Sequence, residues 1–358
     1  MVARRLRMVL LLPQEKSVTK TYCLTTLCCI GLSVLSATAS ADEVRFDGQN
    51  VMRGELKHLD RGQLYFKTPG TDTISIEWAH VDRVSSSKTF EIEFDNGDIM
   101  LGVVEPTESP SQLSIRNYAG ARLAALSSVV RLTEIDEKVR DRFDGTASAG
   151  LNLTQQNSYE SYNLGLDLTY NTLKYVSSLD LSSNINRSDD TATSEQSSLQ
   201  IKSSRIWKKR RYTGGLLSFS RNQDLGIDLR SSLGITVGKT LRHTNSQIFN
   251  VEGGLLFTKE EIAGSSDSEN SREAYLGAHY EWFTFDEPNI DLTTELVVIP
   301  SLTQSGRVRG SFNLTLKWEI VNDLYWRISY QQNADSDPPG ESSANSDYNL
   351  FTGLAYDL

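Results

Sequence analysis

The stretch Val308-Arg-Gly-Ser-Phe312-Asn-Leu-Thr-Leu-Lys-Trp318-Glu-Ile-Val321-Asn-Asp-Leu324-Tyr-Trp326-Arg-Ile-Ser-Tyr330 decides the fold. Phe312, Leu314, Leu316, Trp318 and Ile320 occupy one side of a period of two. Arg309, Ser311, Asn313, Thr315, Lys317 and Glu319 occupy the other. After the short turn Val321–Asp323 the same phase returns in Leu324, Trp326, Ile328 and Tyr330. A period of two is the mark of a strand with one apolar and one polar face, and two such runs around a tight turn make a hairpin. Alternation of this kind fits a water-soluble sandwich as well as a membrane barrel.

Working outward, the pattern covers everything from Gly145 to Leu358. Further stripes are Tyr162-Leu164-Leu166-Leu168-Tyr170, then Ile227-Leu229-Ser231-Leu233-Ile235-Val237, then Ala274-Leu276-Ala278-Tyr280-Trp282, and Ile290-Leu292-Thr294-Leu296-Val298. About twelve strands are predicted, centred near residues 150, 166, 180, 200, 216, 233, 253, 278, 296, 314, 327 and 352, with ten and fourteen as the alternative counts. Three features favour a barrel in a lipid bilayer. Aromatic residues such as Tyr162, Tyr170, Trp318, Trp326 and Tyr330 close the apolar stripes, as interfacial girdles do. Short turns (Asn171–Lys174, Lys208–Arg211, Arg242–Asn245, Phe285–Asn289, Val321–Asp323) alternate with long polar connections (Arg187–Ser197, Lys259–Arg272, Gln332–Asp347). The last stripe, Leu350, Leu354, Tyr356 and Leu358, resembles the C-terminal signal read by the outer-membrane assembly machinery, with Leu358 in place of the usual Phe. The expected partners are therefore that machinery, outer-membrane lipid and lipopolysaccharide.

The segment before the barrel follows a different pattern. Val44-Arg-Phe-Asp47 matches Ile92-Glu-Phe-Asp95, Val51-Met-Arg-Gly54 matches Ile99-Met-Leu-Gly102, and Val81-Asp-Arg-Val84 matches Val129-Val-Arg-Leu132, always 48 residues apart. A constant offset marks an internal repeat. Asp47-Gly48 and Asn96-Gly97 are hairpin signals. Gln63–Lys67 and Ile74–Trp78 alternate as half-buried strands. Two copies of about five short strands predict a duplicated SH3-like or Sm-like β domain over residues 42–137, ahead of a barrel over 145–358. A structural foot for the barrel and a peptide- or glycan-binding module with a periplasmic partner are its two expected roles.

Residues 1–41 read as a signal peptide. Arg4, Arg5 and Arg7 precede an apolar run from Cys23 to Leu35, and Ala39 and Ala41 supply a cleavage site. Met8 is an alternative start. Cys23, Cys28 and Cys29 all lie in this leader, so the mature chain has no disulfide framework and no cysteine nucleophile. The full chain has 36 Lys and Arg against 46 Asp and Glu; without the leader's five and one, 31 oppose 45, a balance of −14. Such a surface argues against nucleic acid as a partner. Beyond the leader no apolar run is long enough for a spanning helix, so a membrane role requires a closed barrel. An even strand number puts both barrel ends, and the repeat domain, on the periplasmic side of a Gram-negative outer membrane.

The hairpin Phe94-Asp-Asn-Gly-Asp98 with Gly102-Val-Val104, the pattern Ile76-Glu-Trp78-x-x-Val81-x-x-Val84, and the barrel that follows resemble the salt-induced outer-membrane proteins of the YdiY type. The resemblance covers nearly the whole mature chain. It implies a barrel with a β-rich N-terminal part and no assigned chemistry.

Strand phase then points Asp167, Asp180, Lys202, Asp228, Arg230, Glu252, His279, Glu281, Asp291, Glu295, Arg309, Lys317, Glu319 and Arg327 into the lumen. Interior charges of both signs either pair with each other or line a narrow, weakly cation-preferring, porin-like small-solute channel. A non-conducting structural or stress-related envelope protein is the alternative to the channel. A lipid hydrolase is a third reading, since His279 stands beside Glu281, but no lipase motif surrounds any serine. His58 and His80 fall in the repeat domain and His243 in a short turn. No cofactor is expected. No metal site is expected either: His279-x-Glu281 supplies two ligands only, and Glu260–Glu269 lacks calcium-loop spacing and reads as a solvated outer loop.

Overall fold

The computed structural model describes residues 41–48, 50–135, 142–154, 159–188, 191–223, 226–262, 268–285, 287–321, 324–338 and 345–356. The leader up to residue 40, the junction 136–141 and Leu358 lie outside the described residues. The chain is all-β, in two antiparallel sheets of ten and twelve strands. Three 3-10 turns are the helical elements among the described residues.

The first sheet contains β1 (Asp42–Phe46), β2 (Asn50–Asp60), β3 (Gln63–Lys67), β4 (Thr73–Glu77) and β5 (Val81–Ser85), then β6 (Thr89–Phe94), β7 (Ile99–Glu105), β8 (Gln112–Asn117), β9 (Gly120–Ala125) and β10 (Val129–Glu134). A 3-10 turn stands before β5 (Trp78–His80) and before β10 (Leu126–Ser128). Strand pairing repeats with the sequence. β1 pairs with β2 and β5, β2 with β3 and β3 with β4. β6 pairs with β7 and β10, β7 with β8 and β8 with β9. The copies are joined where Leu132 of β10 faces Leu59 of β2, and where Trp78 Nε1 donates to the Leu126 carbonyl at 2.8 Å. Their inward apolar residues merge into one core that includes Val44, Leu56, Phe66, Trp78, Phe90, Ile92, Ile115 and Leu132. Each such side chain contributes about 1.5–3 kcal/mol by leaving water, and this core is of the ordinary soluble kind. Lys88 Nζ bonds Glu55 at 2.7 Å and Glu134 at 2.6 Å, tying β2 to β10. The Lys88 ammonium holds the Glu55 carboxyl down at about 2.

The second sheet is a meander in which every strand pairs with the next. Its members are β11 (Phe143–Thr154), β12 (Tyr159–Asn171), β13 (Tyr175–Ser188), β14 (Thr191–Trp207), β15 (Arg211–Asn222), β16 (Ile227–His243), β17 (Gln247–Ile262), β18 (Ser268–Thr284), β19 (Ile290–Pro300), β20 (Val308–Val321), β21 (Leu324–Asp335) and β22 (Ser346–Tyr356). The strand number and centres agree with the sequence pattern. Among the described residues no pairing joins β11 to β22.

The burial of this sheet is inverted. On β16, Leu233, Ile235 and Val237 are 62%, 69% and 63% exposed, whereas Ser232 and Thr236, in the opposite phase, are 5% and 2% exposed. Leu164, Leu255, Phe257, Leu276, Leu296, Leu350, Leu354 and Tyr356 are likewise exposed. The buried apolar cluster within the sheet is small: Leu216, Leu256 and Tyr275, with Val297 and Ile299 against them. The polar face is the enclosed one.

Two sequence expectations are corrected. The connections read as long polar loops are largely strand: β13 runs to Ser188 and β14 starts at Thr191, and β17 runs to Ile262 with β18 starting at Ser268. Paired Ser, Thr and Glu residues there satisfy the backbone ladder without needing an apolar stripe, so the apolar signal fades before the strand does. Ile227, read as part of an outward stripe, is 2% exposed, because the register slips between Ile227 and Leu229 and turns its side chain to the other face.

Candidate functional site

The enclosed face of the second sheet collects its charged residues into three layers. The first lies toward the end away from the short turns. Arg230 Nε bonds Glu260 at 2.5 Å, and Arg307 bonds Glu260 at 2.9 Å and Asp335 at 2.7 Å. Arg309 bonds Glu273 at 2.5 Å, and Glu273 also accepts from the Thr258 hydroxyl at 2.7 Å. Arg307 comes from the β19–β20 connection, folded inward and 3% exposed. Arg230 on β16 and Asp335 on β21 approach to 3.7 Å although they are five strands apart in the sheet order. The sheet therefore curls far enough for its enclosed face to meet itself.

The second layer is centred on Glu252 of β17. Its carboxylate accepts from Lys202 of β14 at 2.6 and 2.7 Å and from the Tyr275 hydroxyl of β18 at 2.8 Å. The Tyr212 ring fills the space over Gly238, where a Cβ would collide with it. Nearby, Asn313 donates to Glu295 at 3.4 Å.

The third layer lies at the short-turn end and includes the N-terminal sheet. Arg61, in the β2–β3 turn, bonds Asp291 at 2.9 and 3.0 Å, pairs with Glu281 at 2.9 Å, and lies over the Phe283 ring at 4.7 Å. Glu281 also takes His279 Nε2 at 2.9 Å. Beside it, Glu93 of β6 accepts from Arg131 at 2.5 Å and from Arg210 at 2.7 Å, with His243 Nδ1 at 3.4 Å. Arg210 also donates to the Phe94 and Asp95 carbonyls at 2.7 and 2.9 Å. Lys209 and Arg210 take φ of 60° and 56° to aim that side chain, a left-handed conformation that is costly away from glycine. Asn245 Nδ2 donates to the Val129 carbonyl at 3.0 Å, and Gly62 packs against the Asn245 backbone so closely that a Cβ would lie 2.3 Å from its oxygen. Burial would raise the Glu93 carboxyl, but the His243 hydrogen bond, the Arg131 charge and the Arg210 hydrogen bond outweigh it and hold it well below the usual carboxylate range.

Of the residues singled out from sequence, Lys202, Arg230, Glu252, His279, Glu281, Asp291, Glu295 and Arg309 lie in these layers. Asp167 accepts from Thr146 at 3.3 Å, and Asp180 faces it across the β12–β13 pair. Lys317 lies 3.8 Å over the Tyr325 ring, with Arg327 opposite it on β21. Glu319 accepts from the Asn289 amide at 3.3 Å. Asp228 sits at the rim, 3.7 Å from Arg221 and about half exposed. On the outer face Leu350, Leu354 and Tyr356 are exposed. The four histidines have separate surroundings: His58 stacks on Tyr65 at 4.3 Å, His80 bonds Asp47 at 2.8 Å, and His243 and His279 face Glu93 and Glu281.

Sequence reasoning missed Arg61, Glu93, Arg210, Glu260, Glu273, Arg307 and Asp335. Glu260, placed in a solvated outer loop, is 2% exposed and holds two arginines, which corrects that reading. The signal was present: Glu260 continues the phase of Glu252, Leu256 and Thr258, and Glu273 that of Tyr275, His279 and Glu281. Among the described residues no group of three or more His, Cys, Asp or Glu is arranged to hold a metal ion, and no helix is long and apolar enough to cross a membrane.

The class defined so far is an all-β protein with a twelve-stranded antiparallel meander, apolar outside and ion-paired inside, preceded by a duplicated small-strand region. Residues 147–358 match the DUF481 family, proteins of unknown function, and the chain belongs to that family, consistent with its YdiY-type resemblance. No curated protein matches the chain.

Proposed function

We propose that the second sheet closes on itself as a β-barrel in the outer membrane, with the N-terminal sheet on its periplasmic side, and that the barrel is non-conducting at rest. The outer face carries the membrane part of this reading. Soluble monomers rarely expose apolar patches beyond a few hundred Å², and here the exposed Leu, Ile, Val and Phe residues run from strand to strand. Trp207, Trp282, Trp318 and Trp326 rim the short-turn end of that face, and Tyr162, Phe257, Phe312 and Tyr348 stand toward the other end. On β17, Phe249 and Phe257 are eight residues apart, about 26 Å along a strand, comparable to the ~25 Å apolar band of outer-membrane barrels. Closure would remove the free edges of β11 and β22, which lipid cannot satisfy.

The Arg230–Asp335 approach carries the non-conducting part. In a closed ring of twelve, strands five apart stand nearly opposite, so the Arg230–Glu260–Arg307–Asp335 set bridges the interior. The experiment is fractionation followed by planar-bilayer recording. The protein should partition with outer membranes and migrate differently on gels before and after boiling. The wild type should give no stable open steps, whereas Arg307→Ala with Asp335→Asn should give conductance or raise it at least tenfold. A soluble periplasmic protein would overturn the membrane reading. Large steady conductance from the wild type would overturn the bridged interior and favour a channel.

A further inference from the structure

Beside the ion-paired bridge, the enclosed face leaves a cavity of about 750 Å³. Its walls differ in chemistry. One carries Arg230, Arg309 and Asp335, each already bonded to a partner of opposite charge: Glu260, Glu273 and Arg307. The other walls, from β12–β15 and from β21–β22, carry side-chain amides and hydroxyls, among them Asn184, Ser198, Ser220, Asn333 and Asn349.

We propose that this cavity is a binding site for a neutral, multiply hydroxylated solute, a short oligosaccharide. Its volume is within the ~300–1,000 Å³ usual for small-molecule sites. An anion would need an uncommitted cation, and Arg230, Arg309 and Arg221 of the lining are engaged by Glu260, Glu273 and Glu195. Of the lining carboxylates, Asp335 is held by Arg307 and Asp347 is exposed, where water screens its charge. An apolar ligand would strip water from amides and hydroxyls and leave them unpaired, which is unfavourable. A sugar hydroxyl is donor and acceptor at once. An Asn side chain offers two N–H donors and a carbonyl acceptor, and a Ser hydroxyl offers both functions. Walls of such groups on two sides therefore match the hydroxyls that project from opposite edges of a sugar ring. The charge bridge forms the floor of the site, so occupancy does not require passage. The inference goes beyond the barrel reading, and it stands or fails separately from whether the protein conducts.

The test is equilibrium binding by titration calorimetry on the full chain folded in detergent micelles, with gel heat-modifiability as the check on folding. Maltotriose is the probe, with gluconate and glucosamine as charged comparators. Maltotriose should bind with a saturable isotherm, and the charged comparators at least tenfold more weakly. Asn184→Leu with Asn333→Leu should weaken maltotriose at least tenfold, and Ser198→Trp, which takes up cavity volume while both amides are retained, should do the same. Absence of maltotriose binding by heat-modifiable protein would overturn the proposal. So would equal affinity for the charged comparators, or undiminished binding by both sets of folded variants.

Discussion

Glu93 shows how one side chain can carry a contact between distant parts of the chain. It is 3% exposed and is met by Arg131 from its own sheet, by Arg210 from the β14–β15 turn and by His243 from the end of β16. Because its carboxyl is held below the unfolded value of 4.5, its contribution to stability is fully present above that value. It is lost as the pH falls below 4.5 toward the folded value. The protection factors of amides at the β6–β7 turn, referred to the intrinsic exchange rate at each pH, should therefore fall on acidification below pH 4.5 in the wild type. Glu93→Gln should give fast exchange already at pH 7, corresponding to about 3 kcal/mol of lost protection, as for a buried pair robbed of one partner. A variant with wild-type exchange at both pH values would contradict this role. None of it was legible in the sequence. Glu93 sits in an alternating strand like many others, and its partners at 210 and 243 are more than a hundred residues away.

At the scale of the strand, far more was legible. A period of two assigns facing residue by residue, and the exposures of Ser232 to Val237 follow it. The reading failed where the period was interrupted or where the apolar half of it was missing. The slipped register at Ile227 changes the facing of one residue with no mark in composition. At Glu260 the strand continues with polar residues on both faces, so the eye finds a loop. The phase assignment has a direct consequence. Ile235→Lys places a charge on the apolar outer face and should cost about 2–4 kcal/mol in denaturant unfolding from lipid vesicles if the position lies near the bilayer midplane. Ser231→Lys, on the same face but nearer its edge, should cost less. Equal and small losses at both positions would mean that this face meets water, and the membrane reading would fall with them.

For the whole molecule, the question is why the two sheets, with opposite burial schemes, form one compact unit. The N-terminal sheet has a complete core of its own, so it has no apolar need to dock. What joins it to the short-turn end is polar and geometric: Arg61 on Glu281 and Asp291, Arg210 on Glu93, Asn245 on the Val129 carbonyl, and Gly62 pressed against the Asn245 backbone. Three of these contacts depend on side chains that reach, and small adjustments can preserve them. The fourth depends on the absence of a side chain. Gly62 has φ of +70°, and any Cβ there meets a backbone oxygen that cannot turn aside. Gly62→Val should therefore separate the sheets while leaving each intact. Local strain of roughly 1–3 kcal/mol from the positive φ alone is added to the collision, and displacing this turn withdraws Arg61 from Glu281 and Asp291. Calorimetry of the wild type in detergent should show the N-terminal sheet unfolding together with, or only just before, the second sheet. In Gly62→Val its transition should move to lower temperature as a distinct peak, with the heat-modifiable gel shift of the second sheet retained. If the variant keeps the wild-type profile, the sheets are held by something other than this approach. If both transitions collapse, the docking is part of the second sheet's own stability rather than an attachment to it.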